Sequence, residues 1–152
     1  MQLKIAKADA ELKNVNLRTE NTGDERVLAC DLKIKASIPA KEAEPLFQDT
    51  PQLIGTLFDK GGNVLNPVFE LRYRMPIENI ELHLDDKKYK GGKVKKNMRL
   101  IPRNGSRFEV MMTVQLSDIG DVRPFAARLH EEVKITIIER QQSLALSSVG
   151  TG

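Results

Sequence analysis

Tryptophan is absent, cysteine occurs once and histidine twice in this chain of 152 residues. The lone Cys30 excludes an intrachain disulfide and suits a reducing compartment. No stretch of 18 or more apolar residues occurs, so no helix is expected to cross a bilayer. The opening MQLKIAKADAELK carries charges every few residues and has no apolar centre, unlike a secretory signal. Catalytic and metal-binding signatures are missing too: no CxxC, HExxH, GxSxG or EF-hand pattern is present. Gly91-Gly92-Lys93-Val94 lacks both the spacing and the preceding buried strand of a phosphate-cradling loop. His83 lies near Asp85 and Asp86, and His130 beside Glu131 and Glu132. Such pairs can move protons, but two scattered histidines without a nucleophile read as ordinary surface residues. Cys30 falls between Leu28 and Leu32 on an apolar strand face and reads as a small core residue. These absences predict a protein that is not an enzyme and holds no metal or cofactor.

What is present is alternation. Phe108, Val110, Met112, Val114 and Leu116 alternate with more polar residues, and so do Leu28, Cys30, Leu32, Ile34 and Ala36. Val133, Ile135 and Ile137 repeat the pattern, as do Phe69, Leu71, Tyr73 and Met75. A period of two is the mark of strands with one buried face. Shorter segments of the same kind are Leu3–Ile5, Leu12–Leu17, Ile80–Leu84 and Val94–Ile101. Turn residues separate them: Asn21-Thr22-Gly23-Asp24, Gly61-Gly62-Asn63, Gly91-Gly92 and Arg103-Asn104-Gly105-Ser106. Two Pro-containing stretches, Ala40–Gln48 and Val122–His130, are each long enough for two helical turns. The expectation is one all-β domain over residues 1–140, with about seven to nine mainly antiparallel strands and one or two short helices. An OB-like barrel is the leading architecture and a small β-sandwich the alternative. A flexible tail is expected over residues 141–152. The two halves read alike at an offset of roughly eighty residues, strand–turn–strand–short helix–apolar segment, as an internal duplication would leave them. Any two amphipathic hairpins would share that outline.

The net charge is only +3, from 24 Lys+Arg and 21 Asp+Glu. It is distributed unevenly. Lys87, Lys88, Lys90, Lys93, Lys95, Lys96, Arg99, Arg103 and Arg107 fall in a segment without an acidic residue, which leaves the rest of the chain at −6. Lys87–Lys93 reads as a flexible basic arm hinged at Gly91-Gly92, with Tyr89 inside it as a stacking platform. Lysines and arginines that neutralise phosphates gain affinity by releasing counterions, and an exposed ring can stack on a base. The segment Lys87–Arg107 is therefore the candidate site for single-stranded DNA or RNA. The same charge suits an acidic protein partner or a solvated strand edge. Only seven aromatic residues exist; Phe69, Tyr73 and Phe108 are expected to face inward, and Phe47, Phe58 and Phe125 read as anchors. A homo-oligomer formed through strand edges is compatible with any of these readings.

The stretch Asn21–Ala36, NTGDERVLACDLKIKA, combines a Gly-acidic turn with an alternating strand containing Asp-Leu-Lys, and His130–Ile138 reads HEEVKITII. In outline this resembles uncharacterised all-β proteins of bacteriophage and prophage genomes, the likeness covering about a third of the chain. Those proteins tend to lie among early genes, including recombination and replication functions. The resemblance implies a non-enzymatic accessory protein of the host cytoplasm and brings no catalytic residues. A protein-binding module is the alternative it leaves open: an inhibitor of a host defence or polymerase enzyme, or a virion component. The chain ends in SSVGTG, not in the acidic tail typical of bacterial single-strand-binding proteins.

Overall fold

The computed structural model describes residues 2–66 and 69–140; the expected tail lies outside them. Eight strands form: β1 (Lys4–Thr22), β2 (Glu25–Pro39), β3 (Leu71–Tyr73), β4 (Ile77–Leu84), β5 (Lys87–Val94), β6 (Met98–Arg103), β7 (Arg107–Leu116) and β8 (Glu132–Glu139). A 3-10 helix (Ala40–Phe47) follows β2; α1 (Leu53–Leu57) and α2 (Arg123–Ala126) are each about one turn. Pro45 inside the 3-10 segment removes a backbone donor and helps keep it from becoming an α-helix.

Six strands close into an antiparallel barrel in the order β1-β2-β7-β5-β4-β8 and back to β1, so the protein is an all-β, OB-like barrel. Around the barrel, closure pairs edges that an open sheet would leave exposed, while the second edge of β1 beyond Leu12 runs on outside it. Antiparallel pairing of β2 with β7, from Cys30 opposite Leu116 to Pro39 opposite Arg107, completes the circle. Both strands keep strict alternation here: Cys30, Leu32, Ile34, Ala36 and Ile38 meet Phe108, Val110, Met112, Val114 and Leu116 inside, each no more than 5% exposed. Phe108 meets Phe58 edge to face at 6.0 Å. The 3-10 helix covers one end of the barrel with Ala40, Ala43 and Leu46, and Phe125 of α2 is fully buried at the other.

Bulges bend the strands around the barrel. β1 slips register between Ile5 and Ala8, where Lys7 takes φ 47° and donates its N–H to Thr136 Oγ1 at 3.0 Å, and again between Leu12 and Asn14. The expected segments Leu3–Ile5 and Leu12–Leu17 are thus parts of one 19-residue strand. From the β2–β7 seam the two halves correspond only in part. β2 leads through the 3-10 helix, α1 and β3 to β4, whereas β7 leads through α2 directly to β8; β4 and β8 then pair with each other. Pro51–Phe58, expected to parallel Val133–Ile138, holds the helix α1 instead of a strand.

Two expectations need correction. The strand read over Phe69–Met75 is only Leu71–Tyr73, with Phe69 38% and Met75 62% exposed. β3 pairs with β6 alone, outside the closed barrel, so little core exists for its alternating residues to face. Second, Gly91-Gly92 is not a hinge. Gly91, at φ 71°, lies within a register shift of β5 against β4, and Gly92 is buried in the barrel wall. A Cβ at Gly92 would stand 2.8 Å from Leu116 Cδ2 and 3.1 Å from the Gln115 carbonyl oxygen.

That contact generates a stability contrast. Gly92→Ala is expected to cost about 1–3 kcal/mol through overpacking. Gly55→Ala, in α1 with nothing within 4 Å of the added methyl, should be neutral or stabilise by about 0.4–1 kcal/mol. Urea unfolding of both variants checks the ordering; equal midpoints would contradict the packing described for β5.

Candidate nucleic-acid interface

β5 and β6 lie end to end along the same edge of β7: Lys93 pairs with Gln115 and Val94 with Val114, then Arg99 with Met111 and Arg103 with Arg107. The chain from Lys87 to Arg103 therefore traces one line down the barrel wall instead of forming a loose arm. On the opposite edge of β7 runs β2. Because paired residues share a face, the outer rows can be read across the sheet. Lys35, Met111, Arg99 and Arg72 form one row. Lys33 stands opposite Thr113, whose carbonyl accepts the Lys95 N–H at 2.8 Å. Asp31, Gln115 and Lys93 form a third row. The outer face of β7 thus offers an uncharged line, Met111, Thr113 and Gln115, between Lys33 and Lys35 on one side and Lys93, Lys95 and Arg99 on the other. With strands about 4.8 Å apart, these two cationic lines are separated by about 10 Å.

The nine basic residues do not act alike. Lys88, Lys90, Lys95 and Lys96 are exposed and form no ion pair among the described residues. Arg99 grips Glu70 with two hydrogen bonds, Nη2 to Oε1 at 2.8 Å and Nε to Oε2 at 3.2 Å, and the bond holds the Glu70 carboxyl below its ordinary pKa. Arg103 lies 3.4 Å from Glu109, which also approaches Lys35 at 3.7 Å, and Lys93 reaches Glu78 at 3.9 Å. Arg107 is half-buried and braces the seam, donating to Ser37 Oγ at 2.9 Å and to the Ser37 carbonyl at 3.1 Å. The expected uncompensated segment is thus partly neutralised, because Glu70, Glu78 and Glu109 fold beside it from other strands and loops.

Tyr89 is not the exposed platform expected of it. Its ring packs on Phe125 with centroids 4.9 Å apart, and burial raises the phenol pKa. The inward phase of β5 at Tyr89, opposite Leu82, turns the ring away from the role of an exposed platform. Beside it a groove of about 440 Å³ separates Lys87, Lys88 and Lys90 from the Ser117–Pro124 loop. There Asp121 is held below its ordinary pKa first by hydrogen bonds from Arg123, with Lys87 a smaller contributor. Lys33, Lys35 and Arg72, which were not candidates, join the site only through strand pairing. Their sole sequence signal is the outward phase of Lys33 and Lys35 in β2.

Cys30 and His83 are each engaged within the fold. Cys30 is fully buried, and burial pushes its thiol up to about 11, leaving it protonated at neutral pH. His83 meets Glu81 through Nε2, and Arg140 holds the same carboxylate at 3.2 Å and 3.3 Å. Glu81 is only 4% exposed. The hydrogen bond from His83, followed by that from Arg140, keeps its carboxyl below the ordinary 4.5 despite burial. Among the described residues no cluster of His, Cys, Asp or Glu has the makings of a metal site.

A depressed folded-state pKa means that the ionised Glu81 stabilises the fold above its unfolded value, and that this contribution fades as pH falls through the folded value. Glu81→Gln should therefore melt below the wild-type protein at pH 7, and the gap should narrow as the pH drops below 4.5. Thermal melts from pH 7 to about pH 3 check this; a gap that stays constant would contradict the arrangement.

No protein-family model, curated protein or solved structure matches the chain.

Proposed function

We propose that this protein binds single-stranded nucleic acid, without catalysis, along the outer face of β7. The observation that carries the reading is the pair of cationic lines on β2 and β5–β6 flanking the uncharged Met111-Thr113-Gln115 line. A flexible polyanion lying along β7 would have phosphates within reach of Lys33 and Lys35 on one side and of Lys93, Lys95 and Lys96 on the other. Lys88 and Lys90 extend the path towards the groove beside α2. None of the rows crossing β7 presents an aromatic ring, so affinity would come from phosphate contacts rather than base stacking. Binding of this kind is weakly selective for sequence and steeply dependent on salt. A role as a phage-type accessory protein in a host cytoplasm belongs to the same proposal and rests on the outline resemblance of Asn21–Ala36.

Fluorescence anisotropy with labelled single-stranded oligonucleotides tests the reading. Affinity should fall on raising salt from about 50 to about 200 mM, with a log–log slope near −0.7 for each phosphate engaged. Replacing Lys33 and Lys95 with Ala, one from each line, should weaken binding across all sequences and make the slope shallower by about 0.7 per lysine. No binding at about 50 mM salt, where phosphate-driven affinity is strong, removes the proposal. Binding that this double variant leaves unchanged places the nucleic acid elsewhere.

A further inference from the structure

β1 is 19 residues long, yet β8 covers its second edge only from Lys4 to Glu11. A parallel bridge from Leu12 to Leu129 and a 2.8 Å bond from His130 N–H to the Leu12 carbonyl close that stretch. From Lys13 to Thr22 no strand lies beside this edge among the described residues, and no main-chain hydrogen bond leaves it. The other edge of the same segment stays paired with β2 as far as Thr22 opposite Glu25. The outcome is a ribbon with ten residues of open strand edge. Proteins blunt such edges with proline, inward-pointing charges or a covering loop. This ribbon edge contains no proline, and its charges are already engaged: Lys13 with Glu11 at 3.4 Å, Arg18 with Glu20 and with Asp31 at 3.2 Å. Leu17, 45% exposed, and half-buried Val15 share one face.

We propose that a second copy of this chain pairs its own β1 antiparallel along this edge, about a two-fold axis at Asn16–Leu17. The segment is self-complementary, as an isologous interface requires. With the axis on Leu17, Leu17 faces its mate, Val15 faces Thr19, Asn16 faces Arg18 and Asn14 faces Glu20. With the axis on Asn16, Leu17 faces Val15 twice and Asn14 faces Arg18. Neither register opposes like charges, whereas an axis one residue further along sets Arg18 against Arg18. Pairing would satisfy the outward backbone groups of both ribbons and cover Leu17. The edge lies outside the β7 face, so this inference stands whether or not nucleic acid binds there.

Sedimentation velocity of the full chain across about 1–100 µM should show a monomer–dimer equilibrium, and Leu17→Lys should weaken it at least about tenfold. At concentrations low enough to keep the wild-type protein monomeric, circular dichroism and the melting temperature of Leu17→Lys should match it, since the side chain is exposed. Hydrogen exchange of the wild-type protein supplies the second measurement: amides of residues 13–22 should gain protection as concentration rises. A monomer throughout the range overturns the proposal, and so do β1 amides whose exchange does not change with concentration.

Discussion

The β2–β7 seam is the constraint from which the rest of the structure follows. Its inner side carries five residues of each strand into the core, from Cys30 and Leu116 to Ile38 and Phe108. A slip of one residue would move all five of a strand's apolar groups to the surface and its lysines inside. With up to about 3 kcal/mol for each fully buried large side chain, such a slip is far beyond what a few surface contacts could offset. Arg107, hydrogen-bonded to the side chain and carbonyl of Ser37 across the two strands, fixes the same register from outside. The hydrophobic effect that closes the barrel therefore also decides which charges appear together on its surface.

Alternation made the inner half of this arrangement legible. Phe108–Leu116 and Leu28–Ala36 could be assigned to strands because each inward residue is apolar and each turn is marked by Gly or Asn. Their adjacency was not legible. Residues about eighty positions apart pair because closure of the whole sheet demands it, and no local pattern near Lys33 points to Thr113. β1 was read in fragments for a related reason: its bulges at Lys7 and Lys13 shift the phase of two, so a continuous strand looks like short ones. β5 misled in the same manner. The register shift around Gly91 breaks the alternation between Tyr89 and Val94, and six lysines between Lys87 and Lys96 hide its few inward residues behind a charge run.

Charge was the least legible quantity. A sequence counts ionised groups but does not say which neighbours they acquire. Glu70 is 29 positions from Arg99, and Glu78 reaches Lys93 only because β4 and β5 share a hairpin. These solvent-screened pairs contribute little to stability, but they divide the basic segment into engaged and free groups. Among the described residues Lys88, Lys90, Lys95 and Lys96 form no ion pair, and the fold adds Lys33 from a strand outside the segment.

That division bears on why the lysine lines can exist at all. At physiological ionic strength the screening length is about 8 Å, close to the separation of the lines across β7, so each line feels its neighbour weakly and the barrel tolerates the crowding. Glu109, on β7 between Lys35 and Arg103, and Glu70, beside β3, reduce the repulsion further there. The free lysines at the β5–β6 corner have no such relief. An anion settling between the lines would displace condensed salt without having to break Arg99 from Glu70 or Arg107 from Ser37. The groups that hold the sheet in register and the lysines without an ion pair among the described residues are therefore different side chains, so neutralising those lysines leaves the seam intact.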